Sequence, residues 1–189
     1  MTSVVIAYAS REGQTRRIAE RMATRLRARG FAVDLVDVVR GIPPQFDLAR
    51  YDAAIVAASI HIGRHARRML AFVRRHRAEL ERKPTLFLSV SLSAAGAVDA
   101  NATAKRRASA AANRDGMIAR FLRETGWQPG VVHPVAGALL YRQYGVLVRA
   151  MMRLISGMVG ASTDTSRDHD YTDWDAVDRY ADEVATLVT

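Results

Sequence analysis

Apolar positions along the chain follow two patterns that alternate with each other. Short continuous apolar runs predict buried strands, and longer stretches with apolar residues three or four positions apart predict amphipathic helices. The runs predict strands at residues 4–9, 32–39, 53–58, 85–90 and 132–140. The helical periodicity predicts helices at residues 15–29, 66–80, 116–125 and 174–187. Strands that alternate with helices in this way predict a parallel sheet with helices on both faces.

Five such strands fit an α/β fold of the doubly wound, flavodoxin-like type, a three-layer sandwich whose five-stranded parallel sheet has the order 2-1-3-4-5. A chain of 189 residues is long enough for one well-buried core and short for two, which predicts a single domain over residues 1–189. Residues 91–115 are rich in Ala, Ser, Asn and Arg, so we expect a long loop or an insertion around residues 94–115. The hydroxyl-x-x-acid pattern of Thr172-Asp173-Trp174-Asp175 predicts the cap of the last helix.

The short segment between the first strand and the first helix has the composition of a phosphate-binding loop. The first N–H groups of a helix have no internal partner and carry partial positive charge, so they suit an anion. Ser10 and Thr15 add hydroxyl donors, and Gly13 allows close approach of the backbone. The candidate phosphate contacts are Ser10, Arg11, Glu12, Gly13, Gln14 and Thr15. The alternative is an ordinary strand–turn–helix corner with a threonine cap.

The kind of phosphate follows from what this loop lacks. It has neither the GxGxxG of dinucleotide-binding loops nor the Gly-Lys-Ser/Thr ending of triphosphate-binding loops. A hydroxyl residue at each end with a glycine between them resembles the FMN phosphate loop of flavodoxins. We therefore expect FMN, whose single phosphate fits one helix N-terminus.

The loops after the third and fourth predicted strands are expected to flank the flavin ring. In the doubly wound fold, a ligand binds at the carboxyl ends of the strands, at the switch point between the first and third strands. We expect Gly63 in a tight turn beside the ring and His61 or Ile62 near its face, and a solvent-exposed His61 is the alternative. The candidate ring contacts are Ser59, Ile60, His61, Ile62, Gly63, Ser91, Leu92, Ser93 and Ala94.

Further motifs give the chain a more specific resemblance. They are Ala-Ser-Ile-His-Ile-Gly at 58–63, Val-Ala-Gly-Ala-Leu at 135–139, Thr-Asp-Thr at 163–165 and Tyr-Thr-Asp-Trp at 171–174. Together with the loop at 10–15, they resemble the flavodoxin-like, menaquinone-dependent protoporphyrinogen oxidases, from residue 4 to about residue 187. The resemblance implies FMN, oxidation of protoporphyrinogen IX to protoporphyrin IX in haem biosynthesis, and electron delivery to a membrane quinone. Ile62 departs from it, because the family pattern leads us to expect an aromatic residue before the loop glycine.

The charge of the chain points to anionic partners. The formal net charge is +9, and Lys83 and Lys105 are the only lysines among the 28 basic residues. We expect Arg64, His65 and Arg67 to lie closest to the flavin, and we predict Arg64 and Arg67 as substrate-binding residues. The reason is that a porphyrinogen carries two propionates, and arginine pairs with carboxylates through a bidentate fork. No side chain is assigned as a catalytic base.

The segment 139–159 combines a wide apolar surface with an arginine stripe. Arg142, Arg149 and Arg153 fall on one side of a predicted helix. Such a helix suits an anionic membrane surface, where the lipid-soluble quinone resides. The alternative is a helix packed on the sheet or against a second subunit in a homo-oligomer. The first strand begins close after Met1 with no secretory signal, so we expect a cytoplasmic protein, with peripheral contact at the inner face of the cell membrane if the first alternative holds.

Other functions remain as alternatives at this point. A flavodoxin-type electron carrier or another FMN-dependent quinone oxidoreductase would use the same loops. Flavodoxin-type carriers tend to be acidic, so the net charge of +9 counts against the first of these alternatives. Nucleic acid is not expected as a partner, because no recognition motif of aromatic and basic residues is present. The absence of cysteine excludes disulfides, thiolate metal sites and cysteine nucleophiles, and no metal site is predicted.

Overall fold

A parallel sheet forms the centre of the computed structural model, which describes residues 1–139 and 168–188. The strands in these residues are β1 (Ser3–Ala9), β2 (Ala32–Asp37), β3 (Ala53–His61), β4 (Arg64–His65), β5 (Thr85–Ser91), β6 (Val131–Ala136), β7 (Ala138–Leu139) and β8 (His169–Asp170). Five of them pair in parallel in the order β2-β1-β3-β5-β6. Since β4 is a short antiparallel addition to β3, this order confirms the predicted 2-1-3-4-5 arrangement of the parallel strands.

Helices cover both faces of the sheet. Those in the described residues are α1 (Gln14–Ala28), α2 (Arg67–Arg75), α3 (Arg77–Leu80), α4 (Leu92–Val98), α5 (Ala104–Thr125) and α6 (Trp174–Leu187). Alternate residues of each strand point to opposite faces. In β1, Val4 and Ile6 therefore pack with α1 and α6, whereas Val5 and Ala7 pack with α2 and α5. The central strands are mostly apolar because both of their faces are covered.

Residues 92–98 and 104–115 are helical, so the expected loop is wrong for most of the segment 91–115. Ser91 caps α4 by accepting a hydrogen bond from the N–H of Ala94, and Thr103 caps α5 in the same way with Arg106. Alanine has the highest helix propensity. The first half of α5 is largely exposed, so the segment shows no apolar stripe by which a helix could be recognised. Whether residues 94–115 are an insertion stays a prediction.

Smaller differences affect the ends of other elements. The predicted helix 66–80 is divided at His76, whose ring packs against Phe72 and Phe46. The predicted strand 132–140 is interrupted at Gly137. Asp173, not Thr172, caps α6, because the Asp173 carboxylate accepts from the N–H of Ala176 at 2.9 Å.

The predicted surface helix and one of the resemblance motifs lie outside the described residues. Apart from residue 139, this is true of the whole segment 139–159 with its arginine stripe, and of the Thr-Asp-Thr motif at 163–165. Within residues 1–139 and 168–188, no helix has the length and apolar character needed to cross a bilayer.

Candidate functional site

A cavity of about 370 Å³ opens at the carboxyl ends of β1, β3 and β5, where the fold predicts a ligand. Its lining residues are Ser10, Arg11, Glu12, Gln14, Thr15, Ser59, Ile60, His61, Ile62, Gly63, Val90, Ser91, Leu92, Ser93, Asn113, Met117, Gly137 and Ala138. All the candidate phosphate and ring contacts are thus brought together, except Gly13 and Ala94. Gly13 immediately precedes α1, and Ala94 is buried in the first turn of α4.

The loop after β1 leaves the N-terminus of α1 open towards the cavity. Gly13 precedes the helix with φ of 92°, a left-handed conformation that favours glycine, and no side chain caps the first turn. Ser10 Oγ accepts a hydrogen bond from the Gly13 N–H at 3.0 Å, which holds the loop in shape. The first turn of α1 contains no acidic residue to oppose an anion.

Thr15 supplies the observation that tests whether a phosphate fits this loop. The residue is 1% exposed, and its hydroxyl oxygen has no hydrogen-bond partner among residues 1–139 and 168–188. A buried polar atom without a partner costs about 1–3 kcal/mol, and such atoms are rare unless a ligand or water satisfies them. A threonine cap would instead engage this hydroxyl with the helix backbone. The orphan hydroxyl beside an uncapped helix N-terminus therefore fits a bound phosphate.

A tight hairpin follows β3 and forms the opposite wall of the cavity. Ile60 pairs with His65 and His61 with Arg64, so Ile62 and Gly63 make a two-residue turn. Both turn residues have positive φ, 48° for Ile62 and 69° for Gly63, as the favoured two-residue hairpin turn requires. Ser59–Gly63 was expected to be a loop, but its first three residues extend β3. Ile62 is 73% exposed at the cavity. Its positive φ is a strained conformation for a β-branched residue.

The third wall comes from the junction of β5 with α4 and from β6. The carbonyl oxygen of Ser91 accepts from the Gly137 N–H at 3.1 Å, which fixes the backbone after β6 beside the end of β5. A Cβ added at Gly137 would meet Val90 Cγ1 at 3.4 Å, so a glycine suits this close approach. Ser59 Oγ donates to the Ala9 carbonyl at 3.3 Å and joins the ends of β3 and β1.

Sequence reasoning missed five of the residues that line the cavity. They are Val90, Asn113, Met117, Gly137 and Ala138. Asn113 lies in the part of α5 that was expected to be a loop, and Met117 has the apolar spacing of an ordinary core residue. Gly137 gave the one usable signal, because a glycine inside a strand pattern marks a bulge or a close backbone approach.

The two histidines of the hairpin differ in their surroundings. Burial, and then the positive charge of Arg11, lower the pKa of His61, while Glu12 opposes the shift. His65 was expected close to the flavin but does not line the cavity: it packs between Phe87 and Phe121 and shares a 3.0 Å hydrogen bond with Ser89. Burial lowers the pKa of His65 to about 4. His65 is therefore a neutral core residue at pH 7.

Arg64 and Arg67 lie beside the cavity rather than in it. Both are exposed, and they line a smaller cleft of about 30 Å³ that shares Gly63 and Met117 with the cavity. Arg64 and Arg67 therefore lie next to any ligand that extends from the cavity past the hairpin.

A polar network that is buried at Gln14 and Thr172 supports the loop after β1 from behind. The Gln14 side-chain amide donates to Thr172 Oγ1 at 2.7 Å and to Asp170 at 2.9 Å, and Arg17 donates to the Gln14 oxygen at 2.8 Å. Thr172 in turn donates to the Ala136 carbonyl at 2.9 Å. The network joins α1 to the end of β6 and to the segment before α6. Gln14 and Thr172 are too far apart in sequence for any local pattern to predict their contact.

Comparison with known proteins gives a consistent result. The family described as a flavodoxin domain matches residues 5–166. Protoporphyrinogen IX dehydrogenase (quinone) of Escherichia coli is 33% identical over 97% of this chain and 94% of its own length. The protein of the same name from Leishmania major is 30% identical over 97% of this chain and 74% of its own length.

Solved structures agree on the fold. Oxidised flavodoxin 1 of Bacillus cereus superposes with a TM-score of 0.55 at 14% identity, and all of both chains is covered. A flavodoxin of Streptococcus pneumonia TIGR4 superposes with a TM-score of 0.52 at 18% identity, over 98% of this chain and 99% of the other.

Proposed function

The chain belongs to the flavodoxin domain family, and because its near-full-length relatives are named protoporphyrinogen IX dehydrogenase (quinone), we propose that it catalyses that reaction. The protein is an oxidoreductase of haem biosynthesis that oxidises protoporphyrinogen IX to protoporphyrin IX and passes the electrons to a quinone. The observation that carries this assignment is similarity through nearly the whole chain, which extends beyond what a shared fold requires.

The cofactor is a flavin, and FMN is the form that the loop after β1 supports. One helix N-terminus with one orphan hydroxyl, that of Thr15, suits a single phosphate, whereas a dinucleotide would need a longer glycine-rich cradle. Residues 10–15 would hold the phosphate, and residues 59–63 and 91–94 would flank the ring. When bound, the flavin supplies the redox chemistry, taking electrons in pairs from a donor and giving them to an acceptor.

The overall reaction determines how many quinones are reduced for each porphyrin formed. Conversion of a porphyrinogen to a porphyrin removes six electrons and six protons, in three two-electron oxidations. Each quinone takes two electrons and two protons and becomes a quinol. Three quinones are therefore consumed for each porphyrin formed.

The residues that line the cavity would bind the flavin ring, orient it and shield it from water. The hairpin at Ile62 and Gly63 and the β5–α4 junction form facing walls that restrict where a flat ring can lie. His61 is neutral at pH 7, so one ring nitrogen donates and the other accepts a hydrogen bond at the cavity wall. Ile62 lines the cavity with an aliphatic group, which stacks on a ring more weakly than an aromatic residue would.

Arg64 and Arg67 are proposed to receive the substrate. They are exposed at the end of the hairpin, next to the cavity mouth, and their guanidinium forks match the geometry of a carboxylate. The porphyrinogen ring is proposed to lie at the mouth of the cavity, beside the flavin, while the propionates point towards these arginines.

Contact with an anionic membrane is proposed for delivery of electrons to a lipid-soluble quinone. The net charge of +9 and the arginine stripe predicted at 142, 149 and 153 support it, as does the choice of acceptor. A cytoplasmic protein at the inner face of the membrane would bind anionic vesicles in sedimentation assays, and binding would weaken with salt. A protein that stays in the supernatant at low salt would place segment 139–159 in the core or in a homo-oligomer interface instead.

An anaerobic assay separates the proposed reaction from simple electron carriage. The FMN-loaded protein is mixed with protoporphyrinogen IX and a menaquinone analogue, without NAD(P)H, and porphyrin fluorescence is followed. Fluorescence that appears only with both protein and quinone supports the oxidase. A flavin-loaded protein that is inactive in this assay but reduces a protein partner would be an electron carrier.

A further inference from the structure

The smaller cleft beside the cavity differs from it in size and in chemistry. We call it the arginine cleft: it lies between the hairpin, α2 and α5, and its charged lining residues are Arg64, Arg67, Arg120 and Glu124. Its volume is about 30 Å³. A space of that size holds about one or two water molecules, so it admits a terminal carboxylate but no ring. A large ligand in the adjoining cavity would enter it only through a small substituent.

Three different elements bring arginines to this cleft. Arg64 comes from β4, Arg67 from the start of α2, and Arg120 from the C-terminal part of α5. Arg120 is far from the other two in sequence, and the cleft shares Gly63 and Met117 with the main cavity. Positive charge is thus concentrated at the place where a cavity ligand can extend a side group.

A carboxylate of the protein itself already lies in the arginine cleft. Arg120 Nε donates to Glu124 Oε1 at 2.7 Å. The hydrogen bond from Arg120, with the positive charges of Arg120, Arg64 and Arg74, holds the pKa of Glu124 below its usual value although desolvation opposes this. Both side chains of the pair are partly exposed, at 37% and 32%, so an incoming carboxylate can reach Arg120.

We propose that the arginine cleft is a carboxylate subsite, in which Arg64, Arg67 and Arg120 bind one propionate of the porphyrinogen and Glu124 competes with it for Arg120. The proposal rests on the proposed function, because it takes the porphyrinogen as the ligand that lies beside the flavin at the mouth of the adjoining cavity. It assigns Arg120 as a binding residue and Glu124 as a residue that limits affinity for the acidic substrate. Removing the charge of Glu124 frees Arg120 and should tighten binding of the diacid.

The chain offers a matched control for the loss of an ion pair. Arg16 and Glu20 on α1 have the same (i, i+4) spacing and the same 2.7 Å distance as Arg120 and Glu124, but they line neither opening. Each pair adds a similar small amount to helix stability. A difference between Glu124→Gln and Glu20→Gln therefore reports on the cleft and not on the loss of a helix pair.

The experiment compares protoporphyrinogen IX with its dimethyl ester, which has no carboxylate. KM is measured for both compounds with the FMN-loaded wild type, Glu124→Gln, Glu20→Gln and Arg120→Gln. We expect Glu124→Gln to lower KM for the diacid by about two- to fivefold, because an exposed ion pair changes an equilibrium by little more than this factor. KM for the ester should change less. Arg120→Gln should raise KM for the diacid towards that of the ester, and Glu20→Gln should match the wild type. These differences should shrink at high salt.

Two results overturn the proposal: equal KM values for diacid and ester in the wild type, or equal effects of Glu124→Gln and Glu20→Gln on the diacid. Failure of the proposed function has a different signature, since the flavin-loaded wild type would then oxidise neither compound. In that case, fluorescence titration with protoporphyrin IX and its dimethyl ester makes the same comparison by binding alone. Tighter binding of the diacid to Glu124→Gln than to Glu20→Gln would support the cleft without the reaction, and equal binding would overturn it.

Discussion

The side-chain amide of Gln14 donates a 2.7 Å hydrogen bond to the hydroxyl of Thr172, which lies 158 positions later in the chain. The Thr172 hydroxyl in turn donates a hydrogen bond to the carbonyl oxygen of Ala136, so one buried hydroxyl joins the loop after β1 to the end of β6. Gln14 lines the cavity, whereas Thr172 does not. Thr172 is therefore a positioning residue for the loop that we assign to the phosphate.

Thr172→Val should loosen the phosphate loop. Valine keeps the shape of threonine but leaves the Ala136 carbonyl without this donor and Gln14 without one of its acceptors. We expect the free energy of unfolding to fall by about 1–3 kcal/mol and FMN to bind more weakly. Thr186→Val is a suitable control, because the Thr186 hydroxyl bonds to an exposed helical carbonyl on α6. Chemical denaturation and flavin titration of both variants check this, and identical behaviour would remove Thr172 from the support of the site.

Thr15→Val should separate cofactor binding from stability. The Thr15 hydroxyl has no protein partner, so its replacement should leave the flavin-free protein as stable as the wild type or more so. Loss of a hydrogen bond to a charged phosphate should weaken FMN binding by about ten- to hundredfold. Thr24→Val, at an exposed position of the same helix, controls for helix propensity. Unchanged FMN affinity in Thr15→Val would place the phosphate elsewhere.

The contrast between Thr15 and Thr172 illustrates which parts of the site were predictable from sequence. The loop at 10–15 follows an apolar strand and opens a helix, so local pattern and the switch-point rule were enough to place it at the ligand cavity. The contacts of Thr172 depend on how distant segments pack, and its hydroxyl was interpreted as a helix cap. Asn113 was missed because the exposed, alanine-rich first half of α5 has no apolar periodicity, and Met117 because its apolar spacing is that of an ordinary core residue. Buried elements thus leave a pattern in the sequence, and tertiary contacts do not.

Ile62→Asn should stabilise the flavin-free protein. Ile62 has φ of 48°, which costs a β-branched residue about 1–2 kcal/mol, whereas asparagine tolerates this conformation. Ile62 is 73% exposed, so little buried surface is lost. Ile42→Asn makes the same change at another exposed isoleucine whose φ is not positive. Thermal unfolding should show a higher Tm for Ile62→Asn and no rise for Ile42→Asn; equal changes would mean that the turn is unstrained.

His65 should make stability depend on pH below neutrality. Burial lowers its pKa to about 4 from an ordinary value of 6.5, so the unfolded chain binds the proton first as the pH falls. Stability from this residue is complete above pH 6.5 and is lost as the pH falls towards 4, by about 2 kcal/mol between pH 7 and pH 5. Urea unfolding of His65→Gln, which retains a side-chain amide near Ser89, should show a smaller loss over this interval. An equal loss in both proteins would assign the pH dependence to other groups.

If this flavoprotein oxidises a porphyrinogen at the expense of a quinone, porphyrin and quinol must form in a fixed ratio. Porphyrin fluorescence and quinol formation are measured together under anaerobic conditions, with FMN-loaded protein, protoporphyrinogen IX and a menaquinone analogue. We expect three quinols for each protoporphyrin IX, with no requirement for NAD(P)H. Porphyrin formation at the same rate without quinone, or quinone reduction that needs NAD(P)H and yields no porphyrin, would be incompatible with this reaction.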